Sequence, residues 1–379
     1  MLKYPTRKEN LLRSVREMEE GLTYTQAYNE ACRCLLCHDA PCSKACPAST
    51  DPALFVRKLR FKNIKGAIRT IRKNNPLAGV CGVVCPTEVL CEEACSATGI
   101  DSAVKIGKIQ RFLAEYGWKT GFDPLTAGKK NGKKAAVIGS GPAGLSCAAV
   151  LALEGFDVTV FESRKHAGGM MRYALPEYRL NTAFLNRELE DIKKLGVKIK
   201  LNSPVKDNGA DKLLKSGYKA VFISTGLSRG VKPGIPGQDL ANITTALEFL
   251  NSVRSMPSDI ASKIKGRNAA IMGGGAVAVD CAVTCRGLGA KKVYIIYRRT
   301  EKEMPANPGE IRMAHDNFVI IKPQTTVTEF TGKNGRVTGL KGIELEWIKP
   351  GDFSSKNLRT VPGTEFSLPV DYFIFAIGL

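Results

Sequence analysis

The sequence predicts a multidomain chain of 379 residues, in which one α-helical domain precedes two α/β domains. Nine of its 12 cysteines lie within the first hundred residues, among stretches of helical periodicity. Two short apolar runs, Lys134–Ile138 and Asn268–Met272, each end in a glycine-rich turn, as buried strands of parallel sheets do. A lysine- and glycine-rich segment, residues 126–134, separates the helical part from the rest. These features predict two Rossmann-like nucleotide-binding domains behind a cysteine-rich helical domain.

The charge balance indicates an anionic partner or cofactor. Lys and Arg total 56 against 36 Asp and Glu, which gives a formal net charge of +20. Much of this charge lies in one stretch, which contains Arg57, Lys58, Arg60, Lys62, Lys65, Arg69, Arg72 and Lys73. Only Phe61 could stack on a base there, so docking of a protein partner or simple solvation is favoured over nucleic acid. A basic protein that binds zinc and nucleic acid is the remote alternative.

The N-terminal residues Met1–Lys8 show no apolar core behind their charges, so we expect no secretory signal and a cytoplasmic protein. In a reducing compartment, a cysteine cluster more often binds metal than forms disulfides. One uncharged run, residues 135–153, reaches transmembrane length but contains three glycines and a proline. It is interpreted as a strand, a tight turn and a helix start, and no membrane partner is expected.

The first glycine-rich turn, Gly139-Ser-Gly141-Pro-Ala143-Gly144, fits the G-x-G-x-x-G pattern of a dinucleotide site. It follows a strand, it precedes an apolar helix, and a second strand ends at Glu162, 18 residues after Gly144. A carboxylate at that place can accept hydrogen bonds from ribose hydroxyls, while the helix N-terminus stabilises the phosphates. The context makes this a specific prediction of a dinucleotide site.

The second glycine-rich turn follows the G-x-G-x-x-A variant that is common in nicotinamide sites. Its predicted binding residues are Gly273, Gly275, Ala276 and Ala278. The next strand ends at Arg298 and Arg299 instead of an acid, which favours the 2′-phosphate of NADP over NAD. Solvated surface arginines are a nearly equal alternative, so the expected cofactor is NADP(H) or NAD(H).

Two further segments resemble the later fingerprints of flavoprotein disulfide-reductase-like enzymes. They are His166-Ala-Gly168-Gly169-Met-Met-Arg172 and Phe222-Ile-Ser-Thr225-Gly226. The resemblance implies that the first glycine-rich fold holds FAD. It also implies that Glu162, Gly169, Arg172, Thr225 and Gly226 line the flavin nucleotide.

The cysteines form two runs, each of which contains a Cys-Pro pair. Their spacings are Cys34-x2-Cys37-x4-Cys42-x3-Cys46 and Cys81-x3-Cys85-x5-Cys91-x3-Cys95. Such runs resemble ferredoxin-type ligation, in which thiolates of one run serve two clusters. Zinc is the alternative, with Cys34 and Cys37 as ligands and His38 as a further candidate against its interpretation as a plain loop residue, but only one C-x2-C pair supports zinc.

The motif set resembles the N-terminal half of dihydropyrimidine dehydrogenases, and the glutamate synthase small subunits of the same superfamily. The segments that carry the resemblance are Arg33–Pro47, Asn75–Leu77, Val84–Glu88, Leu90-Cys91 and Ile106–Phe112. Two 4Fe-4S clusters are implied, one held by Cys34, Cys37, Cys42 and Cys95, the other by Cys46, Cys85, Cys91 and Gln110. Cys32 and Cys81 match no ligand position, and Gln110 favours the pyrimidine enzymes over glutamate synthase.

The resemblance implies a function for the whole chain. The protein would take hydride from NAD(P)H to FAD and pass electrons through two clusters to a catalytic FMN-containing subunit that reduces uracil or thymine. The alternative is the small subunit of NADPH-dependent glutamate synthase. No side chain is expected to act as a catalytic acid, base or nucleophile.

The expected domains are residues 1–125 for the clusters, 134–235 with 365–379 for FAD, and 236–364 for NAD(P)H. The family continues past the position of Leu379 with a segment that completes the FAD site, so the FAD domain is expected to be incomplete here.

Overall fold

The computed structural model describes residues 21–349, 354 and 357–378. The first 20 residues of the expected cluster domain therefore lie outside the described residues. By contacts the described residues divide into two compact units, residues 21–226 and the described residues between 227 and 378. Helices alone begin the first unit, and parallel sheets follow in both, which confirms the predicted fold class.

From residue 21 onward, the helical domain contains six helices, joined by short loops that carry most of the cysteines. The helices are α1 (Tyr24–Cys32), α2 (Pro41–Lys44), α3 (Pro52–Arg60), α4 (Ile64–Lys73), α5 (Ala78–Val84) and α6 (Ile106–Thr120), with 3-10 turns at Thr87–Val89 and Ser96–Gly99. Local signals start them: Thr23 and Gln26 form a capping box, and the Asp51 and Asn63 side chains cap α3 and α4. Their apolar faces enclose a core around Phe55, Ile71 and Leu113.

The first α/β domain has four parallel strands in the order β3-β2-β1-β4. Its elements are β1 (Lys134–Ile138), α7 (Pro142–Leu153), β2 (Asp157–Phe161), α8 (Met170–Tyr173), α9 (Thr182–Lys194), β3 (Lys198–Lys200), α10 (Gly209–Lys215) and β4 (Ala220–Ile223). The uncharged run 135–153 thus forms β1, a turn and α7, as predicted. Among the described residues, no helix has both the length and the apolar composition to cross a bilayer.

The second unit contains a five-stranded parallel sheet and an antiparallel sheet. Its elements are β5 (Ile243–Thr245), α11 (Ala246–Ser255), α12 (Pro257–Ile264), β6 (Asn268–Met272), α13 (Ala276–Gly287), β7 (Lys292–Ile296), a 3-10 turn (Glu301–Glu303), α14 (Pro308–Asp316), β8 (Ile320–Lys322), β9 (Thr325–Lys333), β10 (Arg336–Trp347), β11 (Leu358–Thr360), β12 (Phe366–Pro369) and β13 (Tyr372–Phe375). The parallel order is β5-β13-β6-β7-β8, and β10 pairs with β9, β11 and β12.

The expectation that residues 365–379 join the FAD domain is wrong for the described residues 365–378. β12 pairs with β10, and β13 lies between β5 and β6, with Phe373 opposite Ile243 and Ala270. Phe373 and Ile374 are fully buried in the second unit. An apolar strand can add to either parallel sheet, and the position between β5 and β6 buries both of its faces.

A buried ion network joins the helical domain to the first α/β domain. Arg72 on α4 lies 2.8 Å from Glu188 and 3.3 Å from Asp191, both on α9. The indole Nε1 of Trp118 donates to the same Asp191 Oδ2 at 2.7 Å. Glu188 also accepts from the backbone N–H of Val80, the third residue of α5, at 3.3 Å. All three charged groups are almost fully buried, so the network fixes α4, α5 and α6 to α9.

Replacement of Arg72 tests the network. In Arg72→Leu, the carboxylates of Glu188 and Asp191 remain buried without their guanidinium, so the free energy of unfolding is expected to fall by about 3–5 kcal/mol. Urea unfolding at neutral pH measures this change. The control Arg57→Leu removes an exposed charge from α3 and is expected to change stability by less than about 0.5 kcal/mol. Equal stability of the two variants would contradict the assigned role.

Candidate functional site

The first glycine loop lies at the carboxyl end of the first sheet. Gly139 has φ +103°, and a Cβ there would lie 2.4 Å from the carbonyl oxygen of Ser224. A Cβ on Gly144 would lie 2.1 Å from the carbonyl oxygen of Gly139, because α7 crosses the loop closely. In contrast, a Cβ on Gly141 would meet no atom within 4 Å. The loop therefore requires glycine at positions 139 and 144, where it packs against the protein, and leaves open space beside Gly141.

The space in front of α7 fits a phosphate. Gly141 is the N-cap residue of this 12-residue helix and provides no side-chain cap, so no side chain caps its first turn. Unpaired N–H groups at a helix N-terminus, together with the helix dipole, bind anions. The expected FAD residue Ala143 lies in this first turn. Thr225 and Gly226 are exposed beyond β4 at the same end of the sheet.

Glu162 is buried at the end of β2, and its carboxylate is already engaged. Its Oε2 accepts from the Ser140 N–H at 3.1 Å and from the Ser140 hydroxyl at 2.5 Å. Its Oε1 accepts from the Arg164 N–H at 2.8 Å and the Ser163 hydroxyl at 3.2 Å. These four donors match the four lone-pair positions of a carboxylate. A ribose hydroxyl would therefore have to replace one of them, most easily the exposed Ser163.

Ser140 is a site residue that the sequence motif did not single out. It is completely buried, and its hydroxyl lies between Glu162 and the N–H of Gly168, which donates to it at 3.2 Å. Gly168 N–H also donates to the Ser140 carbonyl at 3.1 Å. The next residue, Gly169, has φ +52°, and a Cβ there would lie 2.6 Å from Gly141 Cα. Ser140 thus ties together three predicted segments of the site.

Arg172 lies on α8, directly after this loop. Its Nε donates to the carbonyl oxygen of Ala167 at 3.1 Å, and it contacts the Asn186 side chain. Burial lowers the pKa of the guanidinium, although it stays charged at neutral pH. The structure thus holds Arg172 beside the glycine loop, and its contact with a flavin nucleotide stays a prediction.

The second glycine loop repeats the arrangement in the second unit. Gly273 has φ +145°, and a Cβ there would lie 2.2 Å from the carbonyl oxygen of Ala376, which follows β13. Gly275 faces open space and is the N-cap of α13, again without a side-chain cap. Ala276 begins α13, and Ala278 is completely buried against the sheet. This loop also fits a phosphate.

The two arginines after β7 differ in environment. Arg298 is exposed, whereas Arg299 is half-buried and its Nε has no hydrogen-bond partner among the described residues. The nearby acids are engaged elsewhere. Glu303 accepts from the Thr300 N–H and hydroxyl, and Glu301 lies 2.8 Å from His315. Arg298, Arg299 and Lys302 stand against Glu301 and Glu303 there, so the end of β7 carries a formal excess of one positive charge.

Most cysteines of the helical domain lie in two groups. All 12 cysteines of the chain are free thiols. In the first group, burial raises the pKa of Cys42 to about 11, with further contributions from its neighbours Cys95 and Cys34. Cys37 contacts the hydroxyl of Ser96, the residue after Cys95, at 3.3 Å. The grouping is that of the first predicted ligand set.

The second group contains Cys46, Cys85 and Cys91. Burial raises the pKa of Cys85 to about 11 and that of Cys91 to about 12, and Cys46 acts on both. Cys81 also lies within electrostatic range of Cys46 and Cys85, although it matches none of the ligand positions predicted from the sequence. It lies one helical turn before Cys85 on α5, a spacing that indicates proximity.

Gln110 lies on α6, next to α5, and is buried. Its Nε2 donates to the carbonyl oxygen of Ala78 at 2.7 Å. Its ligation of iron stays a prediction. In the described part of the chain, no three His, Cys, Asp or Glu side chains converge on one metal ion. A 4Fe-4S cluster binds each thiolate through a different iron, so its ligands need not converge on one metal ion, and the two ligand sets stay predictions.

Comparison with known proteins identifies the class. Residues 11–122 match the dihydropyrimidine dehydrogenase domain II, 4Fe-4S cluster, family, and residues 133–379 match the pyridine nucleotide-disulphide oxidoreductase family. The chain belongs to the pyridine nucleotide-disulphide oxidoreductase family, with an N-terminal 4Fe-4S domain of the dihydropyrimidine dehydrogenase type. It is an NAD(P)H-dependent FAD/iron-sulfur oxidoreductase.

Individual relatives show which proteins of this class the chain is similar to. The chain is 41% identical over 305 residues to the NAD-dependent dihydropyrimidine dehydrogenase subunit PreT of Escherichia coli K12, covering 80% of this chain and 73% of that one. It is 33% identical over 387 residues to the small chain of E. coli K12 glutamate synthase [NADPH], covering 99% and 82%. The expected resemblance is confirmed. Both relatives are parts of larger enzymes.

A solved structure shows the same fold at low sequence identity. Mycobacterium tuberculosis FprA in complex with NADPH matches with a TM-score of 0.54 and 17% identity, over 65% of this chain and 70% of that one.

The role of Ser140 is testable through flavin retention. In Ser140→Ala, Glu162 and Gly168 lose a shared hydrogen-bond partner, so the dissociation constant for FAD is expected to rise about tenfold. Fluorescence of FAD released on dilution measures it. Ser216→Ala, which removes an exposed hydroxyl of the same domain, serves as the control. Unchanged FAD retention in Ser140→Ala would contradict the assignment.

Proposed function

We propose that this chain takes hydride from NAD(P)H onto FAD and passes the electrons singly through two 4Fe-4S clusters to a partner subunit. The first cluster is assigned to Cys34, Cys37, Cys42 and Cys95, and the second to Cys46, Cys85, Cys91 and Gln110. The partner is proposed to carry FMN and to reduce uracil or thymine to the 5,6-dihydropyrimidine. The relative of 41% identity, named as a subunit of a dihydropyrimidine dehydrogenase, supports this choice.

One observation carries the proposal: the first glycine loop and both thiol groups lie in the same compact unit. Arg72, Glu188 and Asp191 hold the thiol-bearing helix α5 against the domain that carries the loop. FAD, when bound, supplies the conversion of a two-electron donor into single-electron transfers. The chain supplies fixed positions for the nucleotide and for the thiolates.

In the proposed flavin site, the N–H groups of the first turn of α7 bind the diphosphate. Gly141 allows the backbone to approach it, and Arg172 adds positive charge beside the loop. Glu162 is proposed to accept from the ribose after it releases the Ser163 hydroxyl. Ser140 keeps the Glu162 carboxylate oriented during that exchange.

In the second unit, Arg298 and Arg299 are proposed to bind the 2′-phosphate of NADPH. The unpartnered Nε of Arg299 and the engagement of Glu301 and Glu303 elsewhere support this assignment. The relative PreT is named NAD-dependent, whereas the glutamate synthase chain is named for NADPH. The two relatives therefore differ in the nucleotide for which they are named, and a direct measurement decides between NADPH and NADH for this chain.

A second candidate function is that of the glutamate synthase small chain. The match to that protein spans 99% of this chain, more than the match to PreT. The two functions differ in the partner subunit and in the final substrate, and the same preparation can test both.

The test begins with anaerobically purified chain loaded with iron, sulfide and FAD. Addition of NADPH or NADH is expected to bleach the flavin bands and then the broad cluster absorbance. Oxidation of the nucleotide is then followed with each candidate partner, with uracil in one case and with glutamine plus 2-oxoglutarate in the other. A colourless protein that binds zinc would overturn the proposal.

Cysteine variants test the two-cluster assignment. Cys42→Ser and Cys91→Ser each remove one thiolate from a different set, so each is expected to lower the iron content from about eight to about four atoms per chain. Cys32→Ser, at an exposed thiol outside both sets, is the control. If Cys81→Ser lowers the iron content and Gln110→Ala does not, Cys81 replaces Gln110 as the fourth ligand.

Arg298→Ala tests the nucleotide assignment. Loss of a charge-assisted hydrogen bond to the 2′-phosphate is expected to raise KM for NADPH about tenfold and to leave KM for NADH unchanged. Ferricyanide reduction measures both constants. Arg312→Ala, which removes an exposed charge from α14, is the control for nonspecific electrostatics. An equal rise for both nucleotides would contradict the assignment.

A further inference from the structure

We infer that a basic cavity in the helical domain binds a small organic molecule that carries a phosphate group. The cavity has a volume of about 490 Å³ and lies between α3, α4, the loop before α3 and residues 124–125. Its cationic lining residues are Lys58, Arg69 and Lys73, together with the buried Arg72. It is separate from both glycine loops, and the inference does not depend on the proposed function.

Positive charge predominates around the cavity. Between Asp51 and Glu88 the chain contains no acidic residue, whereas it contains eight basic ones. Arg72 is neutralised by Glu188 and Asp191, so it attracts no ligand. Asp51, which also lines the cavity, accepts from the Ser43 hydroxyl at 2.7 Å and caps α3. Three cations face one carboxylate that is already hydrogen-bonded.

Two of the three cations are held in place. The Lys58 ammonium donates to the Thr70 hydroxyl at 2.8 Å, and the Arg69 guanidinium lies over the Phe122 ring, 5.1 Å from its centroid. Such contacts reduce the side-chain entropy that is lost when a ligand binds. An arginine fork beside two ammonium groups favours a doubly charged phosphate over a single carboxylate.

The remaining lining explains why an organic phosphate is favoured over the bare ion. Leu54, Pro124 and Leu125 supply an apolar wall, and the volume lies within the range of small-molecule sites. A half-open cavity of this size suits a compact ligand better than an extended acidic protein surface. The cavity also borders the first cysteine run, because the N–H of its lining residue Thr50 donates to the Cys46 thiol at 3.4 Å.

The test uses phenyl phosphate as the probe, titrated into the FAD- and cluster-loaded chain by calorimetry at constant ionic strength. Phenol and benzoate serve as probes without the phosphate. In Arg69→Ala/Lys73→Ala, the dissociation constant is expected to rise at least about tenfold. The control Arg57→Ala/Lys65→Ala removes the same amount of charge, from α3 and α4, at positions outside the cavity lining, and is expected to bind like the wild type. Phosphate binding at the glycine loops is common to all these proteins and cancels in the comparison.

A second measurement needs no variant. Phenyl phosphate is expected to protect Lys58 and Lys73 of the wild-type chain from amine acetylation, as measured by mass spectrometry, and to leave Lys65 reactive. Equal binding by the two double variants, binding of benzoate as tight as that of phenyl phosphate, or absence of lysine protection would each overturn the inference.

Discussion

The buried ion network of Arg72, Glu188 and Asp191 is the interaction on which the first unit depends. Burial of charges is unfavourable, and such groups often stabilise a fold less than apolar residues of the same size. Here they connect elements that are more than a hundred residues apart in the chain. Glu188 also occupies the space beside Gly79, where a Cβ would lie 2.9 Å from its carboxylate. The network thus fixes the start of α5, and with it the position of Cys85.

Burial raises the pKa of Glu188 despite the attraction of Arg72, and the neighbouring Asp191 carboxylate adds a smaller effect in the same direction. Lys194 pairs with the outer oxygen of Asp191 at 3.0 Å and is itself half-exposed. The interface between the helical domain and the first α/β domain is therefore polar, hydrogen-bonded and specific in geometry. Apolar packing supports it, since Leu77 and Val80 belong to the core of the first α/β domain.

The two units build their nucleotide sites on one plan. In each, the first strand of the motif lies between the second and a strand from later in the chain, β4 or β13. A Cβ on the first glycine of each loop would clash with the carbonyl oxygen of the residue after that later strand, which is Ser224 in one unit and Ala376 in the other. The sites differ where the second strand ends, with a buried Glu162 in one and positive charge in the other. The proposed assignment of FAD to the first site and of NADP(H) to the second rests on this difference.

The sequence by itself determined the features that depend on local backbone geometry: the glycine loops, the uncharged strand-turn-helix run and the two cysteine runs. Glycine is required where φ is positive or where a Cβ would clash, so the motif reports the conformation directly. Tertiary structure decided the rest. The strand Tyr372–Phe375 is apolar enough for either sheet, and only long-range pairing placed it between β5 and β6. Three further contacts join segments that are distant in the chain, and no local pattern in the sequence encodes them. They are the hydrogen bonds of Ser140 to Glu162, the position of Cys81 beside Cys46 and the pairing of Arg72 with α9.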